Sequence, residues 1–320
     1  MKHKGVAIPM LKIFSLFFFC MLLFGILTHS QISLYYAYMG LSLWYEKMIP
    51  SLLPFMLLSG MMIRLGLTES FINLLYPILN ALFKVSRNVC YAIIIGFLCG
   101  FPMGAKTTAD LLERHLIDQK EAEFLLSFCN NIGPIYFCSF VLPLLGRKMI
   151  FPYVIGMYGI PFLYGIILRH TVYKKNFCLP SFPENPSLQN QTIFSVGRFF
   201  AAMNDSIMSS MQSILNLCGY MVLFNLLNLI PHLLYGHTSI ILAPVFEITG
   251  GLNLLRDTIP LYSLLILPFG GICCIAQTYS CISRTGLSIA KYTMHKLILT
   301  GLSALFYVGW YLLSPATFLG

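Results

Sequence analysis

The sequence contains few charged residues. Only 10% of its 320 residues are Asp, Glu, Lys or Arg, whereas 58% are hydrophobic and the mean hydropathy is +0.79. A soluble domain carries roughly 25% charged residues, so this composition cannot cover a water-exposed surface. A helix that crosses a bilayer needs about 20 mostly apolar residues. Several stretches of that order contain no charged side chain: 13–45, 124–146, 149–168, 206–246, 258–283 and 297–320. The sequence therefore predicts an all-α, multi-pass membrane protein.

Motifs of catalysis, cofactor binding and nucleic-acid binding are also missing. The sequence has no H-E-x-x-H, no G-x-S-x-G and no phosphate-binding glycine loop ending in G-K-[ST]. Its ten cysteines form no C-x-x-C pair and lack metal-type spacing, so we interpret them as small core residues. The net charge of +9 is scattered between apolar stretches and indicates loop charge that sets topology. We predict a protein that is not an enzyme, holds no cofactor or metal and binds no nucleic acid.

The first 60 residues offer two further predictions. Residues 1–30 have a basic head and an apolar body, like a signal peptide. The length of the apolar part and the lack of a small-x-small cleavage site favour an uncleaved first transmembrane helix. Beyond it, Pro50, Pro54 and Gly60 predict a helix that bends or is interrupted.

Three glycine- or asparagine-rich segments predict interrupted helices. The first break is Gly100 to Gly104 (Gly-Phe-Pro-Met-Gly), the second is Asn130 to Pro134 (Asn-Asn-Ile-Gly-Pro), and the third is Gly270-Gly271. Lipid cannot satisfy the backbone groups that such breaks release, so the breaks should face protein or a cavity. The ends of the half-helices are then available to bind a ligand, and their N-termini favour anions.

The order of elements appears twice, on either side of a hydrophilic connector. Each half reads as a bent helix, a short segment, a broken hairpin and a closing span. Gly100-x4-Ala105-Lys106-Thr107 aligns with Gly271-x4-Ala276-Gln277-Thr278. We predict a first helix (1–30), a first repeat (31–168), a connector (169–197) and a second repeat (198–320).

Basic residues predict how the two repeats are related. Those before the first helix and in the connector favour the cytoplasmic side. The first repeat then begins outside and the second inside, which is the inverted topology of many secondary transporters. Arg147 and Lys148 count against this arrangement, because it places them outside.

The candidate substrate-binding residues lie at the breaks or beside them. They are Gly100, Pro102, Gly104, Lys106, Thr107, Asn130, Asn131, Glu247, Thr249, Gly270, Gly271, Gln277 and Thr278.

Lys106 is the most informative candidate. It follows the first break, and an ionisable group near the middle of a membrane is costly and usually functional. An anionic substrate would be its partner. The alternative is that Lys106 lies near a helix end and extends to the headgroups.

Alternatives also stand beside the other candidates. Glu247 is interpreted as the counter-ion of Lys106, as a proton-coupling carboxylate or as an interfacial residue. Asn130 and Asn131 either line the site with amide groups or cap a half-helix. Polar residues near the breaks can instead form hydrogen bonds between helices; these are Thr107, Gln277, Thr278 and Ser280. The face formed by Asp110, Glu113 and Arg114 is predicted to be solvated.

The ordered motifs resemble a known family. Gly96 to Lys106, with the downstream Ser127 to Asn131 segment, is similar to the sporulation integral membrane proteins of the YlbJ type, within the wider nucleoside-recognition or Gate domain group. In the second half, the segments Phe246 to Gly251 and Pro268 to Gly271 are similar to the same family. The resemblance covers roughly residues 40 to 310, so the two repeats would be Gate-like.

The resemblance implies a function and a place. It implies a Gram-positive, endospore-forming source and a role in spore maturation, in a membrane that surrounds the forespore. Gate-type domains occur in carriers, which implies transport of a small anion, with dipicolinate as the first choice, or of a nucleoside. A scaffold that holds other sporulation membrane proteins, or a homo-oligomer, is the alternative from another class.

Overall fold

The computed structural model describes residues 7–146, 150–174, 196–256 and 258–315. Every regular element in these ranges is helical. Five helices are long and apolar enough to cross a membrane, and a bent pair, Tyr76–Phe83 with Arg87–Cys99, would make a sixth span. The prediction of an all-α, integral multi-pass membrane protein is confirmed. Arg147, Lys148 and residues 175–195 of the connector lie outside the described residues.

The helices are numbered here in chain order. They are α1 (Ala7–Thr28), α2 (Ser30–Leu43), α3 (Ile49–Leu65), α4 (Thr68–Ile72), α5 (Tyr76–Phe83), α6 (Arg87–Cys99), α7 (Met103–Glu113), α8 (Gln119–Phe128), α9 (Pro134–Leu145), α10 (Ile150–His170), α11 (Val196–Leu226), α12 (Leu229–Tyr235), α13 (Ala243–Phe246), α14 (Ile248–Leu255), α15 (Pro260–Ile266), α16 (Gly271–Ile282) and α17 (Ile289–Leu313).

The helix is not interrupted at Pro50, Pro54 or Gly60, and a bend there stays a prediction. Helices α2 and α3 form one candidate span, Ser30–Leu65, joined by a π-helical turn at Trp44–Met48. A proline ring collides with the carbonyl four residues before it, and the wider π turn lies at the corresponding position before Pro50. The absence of a side chain at Gly60 leaves room for Ser206 of α11, since a Cβ there would lie 2.4 Å from Ser206 Oγ.

The breaks fall where the sequence predicts them, although they differ in shape. At the first break α6 ends before Gly100, whose φ is +76°, and α7 packs back against α6 as a hairpin. At the third break the predicted hairpin is wrong, because α15 and α16 belong to one candidate span, Pro260–Ile282. Gly270 and Gly271 have φ of +75° and +79°, so they interrupt the helix without reversing it.

The long helices bring the breaks to the middle of the molecule. Helix α11 packs along α2, α3 and α16, while α7 contacts α3, α8 and α16. Helix α17 covers the opposite side, where it contacts α8, α10, α15 and α16. The breaks are therefore enclosed by helices from both halves of the chain.

Candidate functional site

The three breaks meet. The main-chain N–H of Phe101 donates to Asn131 O at 2.7 Å, which joins the first break to the second. Asn130 Nδ2 donates to Thr278 Oγ1 at 2.9 Å, which joins the second break to the helix that follows the third. A Cβ on Gly270 would lie 2.8 Å from the Phe101 ring. The expected proximity of the first and third breaks is thus observed.

Glycines permit the close approach between the first and second breaks. A Cβ would lie 2.3 Å from Cys129 O at Gly96, 2.5 Å from the same oxygen at Gly104, and 2.2 Å from Gly133 N at Gly100. These atoms are backbone, so a side chain could not be accommodated by a rotamer change. We call this contact the glycine seam.

The amides of Asn130 and Asn131 are occupied by protein groups. Asn130 Oδ1 accepts from Ala105 N at 3.3 Å, and its Nδ2 also donates to Tyr292 OH at 3.1 Å. Asn131 Nδ2 donates to Phe128 O at 2.6 Å. Both side chains are buried and hold the breaks together, so their contact with a substrate stays a prediction.

Lys296 is a residue that the sequence reasoning missed. It lies in α17, is 2% exposed, and its Nζ donates to Asn130 O at 2.7 Å and to Asn131 Oδ1 at 3.0 Å. The ammonium thus donates a hydrogen bond to a main-chain oxygen at the second break. A lysine seven residues inside an apolar helix was the available signal.

Glu247 caps a helix and does not pair with Lys106. Its carboxylate accepts from Thr249 N at 2.9 Å, from Gly250 N at 2.6 Å and from Asn225 Nδ2 at 3.0 Å. Residue 247 is the N-cap of α14 and is 2% exposed. The interpretation of Glu247 as the counter-ion of Lys106 is therefore wrong, because its carboxylate is held by these three N–H groups. Its interpretations as a proton-coupling carboxylate and as an interfacial residue stay predictions.

A small buried cavity, the inner chamber, lies beside the breaks. Its volume is about 40 Å³. Its wall combines both halves of the chain: Met48, Ser51, Leu52, Cys99, Phe101, Ile132, Gly133, Tyr136, Leu217, Met221, Glu247, Ile248, Thr249, Cys274 and Gln277. Almost all of these residues are buried, so the chamber lies within the core of the molecule.

A larger polar cavity, the vestibule, lies next to the inner chamber. Its volume is about 550 Å³, and its wall includes exposed residues such as Glu113, Gln212 and Arg284, so it reaches the surface. Leu217 and Gln277 line both cavities and form the partition between them.

Lys106 lies in the vestibule. Its Nζ donates to Ser209 Oγ at 2.9 Å and lies 3.8 Å from Asp110 Oδ2. Asp110 is only 22% exposed in its side chain and lines this cavity together with Glu113. Asp110 therefore faces the open cavity between α7, α11 and α16, while Glu113 and Arg114 are exposed, so a solvated face stays the interpretation.

A polar stripe on α11 was also missed. Ser209, Gln212, Ser213 and Asn216 line the vestibule from one side of this otherwise apolar helix. Their spacing of three and four residues puts them on one helical face. That spacing within a candidate span was a readable signal of a wet cavity.

The predicted site residues divide into two groups. Some line a cavity: Pro102 and Lys106 in the vestibule, Glu247 and Thr249 in the chamber, and Gln277 in both. Others shape the breaks and do not line either cavity: Gly100, Gly104, Thr107, Asn130, Asn131, Gly270, Gly271 and Thr278. Thr278 Oγ1 donates to Cys274 O at 2.8 Å, and the buried Thr107 hydroxyl has no hydrogen-bond partner among the described residues.

The chain is similar to a curated protein. It is 26% identical over 324 residues to the sporulation integral membrane protein YlbJ of Bacillus subtilis (strain 168), an alignment that covers 88% of this chain and 78% of that protein. No family model and no solved structure matches. The expected resemblance to the YlbJ type is confirmed.

Proposed function

We propose that this chain is an integral membrane transporter or facilitator of a small anionic metabolite needed for spore maturation, acting in a membrane around the forespore. The role in sporulation rests on the name of the similar protein. The observation that carries the transport proposal is the pair of adjoining cavities, separated by Leu217 and Gln277 and placed where the helix breaks converge.

Interrupted helices support transport over a purely architectural role. Irregular backbone at membrane depth is tolerated where protein buries it or where it lines a cavity. Phe101, Gly133 and Glu247 lie at interruptions and line the inner chamber. A path through the protein would therefore run beside the breaks.

The vestibule supports a small anion as the substrate. Small-molecule sites measure roughly 300–1,000 Å³, so the vestibule at about 550 Å³ has room for a metabolite, whereas the chamber at about 40 Å³ does not. Lys106 and Arg284 supply positive charge there, which Asp110 and Glu113 balance while no substrate is bound. The Lys106–Asp110 contact is long at 3.8 Å, so a substrate carboxylate would compete with Asp110 for the ammonium. Dipicolinate, a dicarboxylate, is the first candidate.

The two repeats, 31–168 and 198–320, are part of the proposal. Each contains two helices packed against each other, α6 with α7 and α13 with α14. Each pair is followed by an interrupted helix, α8–α9 or α15–α16. This order supports a repeat, and the inverted topology rests on the placement of the basic residues. In this order the second break corresponds to the third break, and the first break corresponds to the segment at Glu247. This correspondence differs from the alignment of Gly100 with Gly271.

Uptake by reconstituted liposomes tests the proposed function. Labelled dipicolinate should enter vesicles that contain the purified chain, and Lys106→Ala should abolish uptake while membrane insertion is unchanged. Lys291→Ala is the matched control, because Lys291 pairs with Glu123 on the surface, away from both cavities. Undiminished uptake by Lys106→Ala would remove the proposed role of Lys106.

A nucleoside is the second candidate substrate. Tyr220 and Tyr279 line the vestibule beside the amides of Gln212, Asn216 and Gln277, and aromatic rings with amides suit a base. Direct binding of a ligand panel to the purified chain separates the candidates. Binding of uncharged nucleosides that is insensitive to Lys106→Ala would favour this alternative.

A further inference from the structure

The Glu247 carboxylate lacks a positively charged partner. It is 2% exposed, and no Lys, Arg or His nitrogen of the described residues lies within 4.0 Å of its oxygens. A buried carboxylate without a compensating charge is strongly unfavourable. Some group from outside the chain must neutralise it, either a proton or a cation.

The hydrogen bonds around Glu247 favour a cation over a proton. Three N–H groups, from Thr249, Gly250 and Asn225, point at the two carboxylate oxygens. Hydrogen bonds donated to a carboxylate stabilise its ionised form. These hydrogen bonds therefore stabilise the ionised carboxylate, whose charge a bound cation would balance.

Two residues that contact the same carboxylate, Asn225 and Thr249, carry oxygen atoms with free lone pairs. Asn225 is fully buried and its Oδ1 has no hydrogen-bond partner among the described residues. This oxygen lies against the N-terminus of α14, since a Cβ on Gly250 would be 1.9 Å from it. Thr249 Oγ1 accepts one hydrogen bond, from Tyr136 OH at 3.2 Å, and keeps a second lone pair. Carboxylate, carboxamide and hydroxyl oxygens are the ligands of hard cations.

The size and charge of the site select the cation. The inner chamber, which Glu247 and Thr249 line, measures about 40 Å³. One water requires roughly 10–15 Å³ on such a measure, so an ion and a water or two fit, but no metabolite does. A single carboxylate balances one positive charge.

We propose that the Glu247 carboxylate, Asn225 Oδ1 and the Thr249 hydroxyl bind a sodium ion beside the inner chamber, which Glu247 and Thr249 line. Sodium would then be the coupling ion of the transporter. That physiological role rests on the proposed function, whereas sodium binding itself does not depend on it.

Thermal unfolding of the purified full chain in detergent, without substrate, tests the site. At fixed pH and ionic strength, the Tm of the wild type should rise saturably as NaCl replaces choline chloride. Glu247→Gln should abolish this dependence, while Glu123→Gln, which alters only a surface ion pair, should retain it. Should Glu247→Gln fail to fold, Thr249→Val removes one oxygen ligand and keeps the main-chain N–H. We expect it to weaken the apparent sodium affinity at least about tenfold.

Several outcomes would overturn the proposal. An equal Tm of the wild type in NaCl and choline chloride would exclude a sodium site, as would a Tm that responds to acid alone. KCl as effective as NaCl would refute the assignment to sodium. Sodium-dependent stability without uptake of any anion would refute transport alone, and uptake with no effect of sodium on stability would refute the cation site alone.

Discussion

The ammonium of Lys296 lies 4.3 Å from the centroid of the Phe101 ring and 2.7 Å from the main-chain oxygen of Asn130. A cation over an aromatic face is stabilised by the ring quadrupole. One side chain of α17 therefore contacts both the first and the second break. We infer that Lys296 holds these breaks in register, in addition to any role toward a substrate.

Replacement of Lys296 should destabilise the fold. Lys296→Ala leaves Asn130 O and Asn131 Oδ1 without their donor in a buried site, so we expect a loss of about 3 kcal/mol in the free energy of unfolding. Lys296→Met keeps the volume and should lose less. Lys291→Ala, on the exposed face of the same helix, should cost about 1 kcal/mol or less. Unfolding curves in detergent measure all three, and equal curves for the two alanine variants would contradict this role.

The glycine seam should be intolerant of a methyl group. Gly104→Ala puts a Cβ 2.5 Å from Cys129 O, and we expect a destabilisation of about 1–3 kcal/mol from overpacking. Gly219→Ala is the matched control within α11, because no atom lies within 4 Å of a Cβ there. The Tm of the control should equal or exceed that of the wild type. A neutral Gly104→Ala would show that the seam can separate.

The partition between the cavities should limit access to the inner chamber. Cys274 lines the chamber and Cys281 lines the vestibule. Leu217→Ala should speed modification of Cys274 by a water-soluble thiol reagent about tenfold, as expected if opening costs ~1.4 kcal/mol less. The rate at Cys281 should not change, and mass spectrometry reports each site. An unchanged rate at Cys274 would place the barrier elsewhere.

Glu121 should make stability depend on pH. It lies beside the charged connector between α7 and α8, outside the membrane-spanning helices, where Asp118 and Glu121 form a capping box. Burial raises the pKa of Glu121 to about 7 from its ordinary 4.5. The protonated acid is thus favoured in the folded state, so its stabilising contribution is complete below pH 4.5 and is lost as the pH rises through 7.

Glu121→Gln should flatten this dependence while keeping the cap. The amide oxygen still accepts from Asp118 N, whereas the titrating proton is gone. Between pH 5 and 8 the wild type should lose about 1–2 kcal/mol more stability than the variant. Glu113→Gln, on an exposed residue, should behave like the wild type. Parallel pH profiles of wild type and Glu121→Gln would contradict the assignment.

Local residue chemistry predicted the positions of the breaks. Gly100 and Pro102, like Gly270 and Gly271, cannot support a regular helix, and the helices end there. At Pro54 and Gly60 the helix is not interrupted, because packing along α11 and the preceding π turn keep it continuous. A proline signals strain on a helix, but tertiary contacts decide whether the helix breaks.

The composition of the site was harder to predict. The environments of Lys296 and of the Lys106–Asp110 pair depend on which helices face each other, and no local pattern encodes that. Pairing with Lys106 is one of three interpretations that the sequence offers for Glu247, whereas Lys106 lies in the vestibule and Glu247 in the chamber. Two isolated charges in apolar surroundings need not be partners.

The glycine seam also constrains how the molecule can move. Main-chain atoms of the first and second breaks touch without side chains between them. A change of side-chain rotamer therefore cannot separate the two loops, and we expect them to move together. We therefore expect the inner chamber to open at its other wall, where the flexible side chains of Met48, Leu217 and Met221 line it.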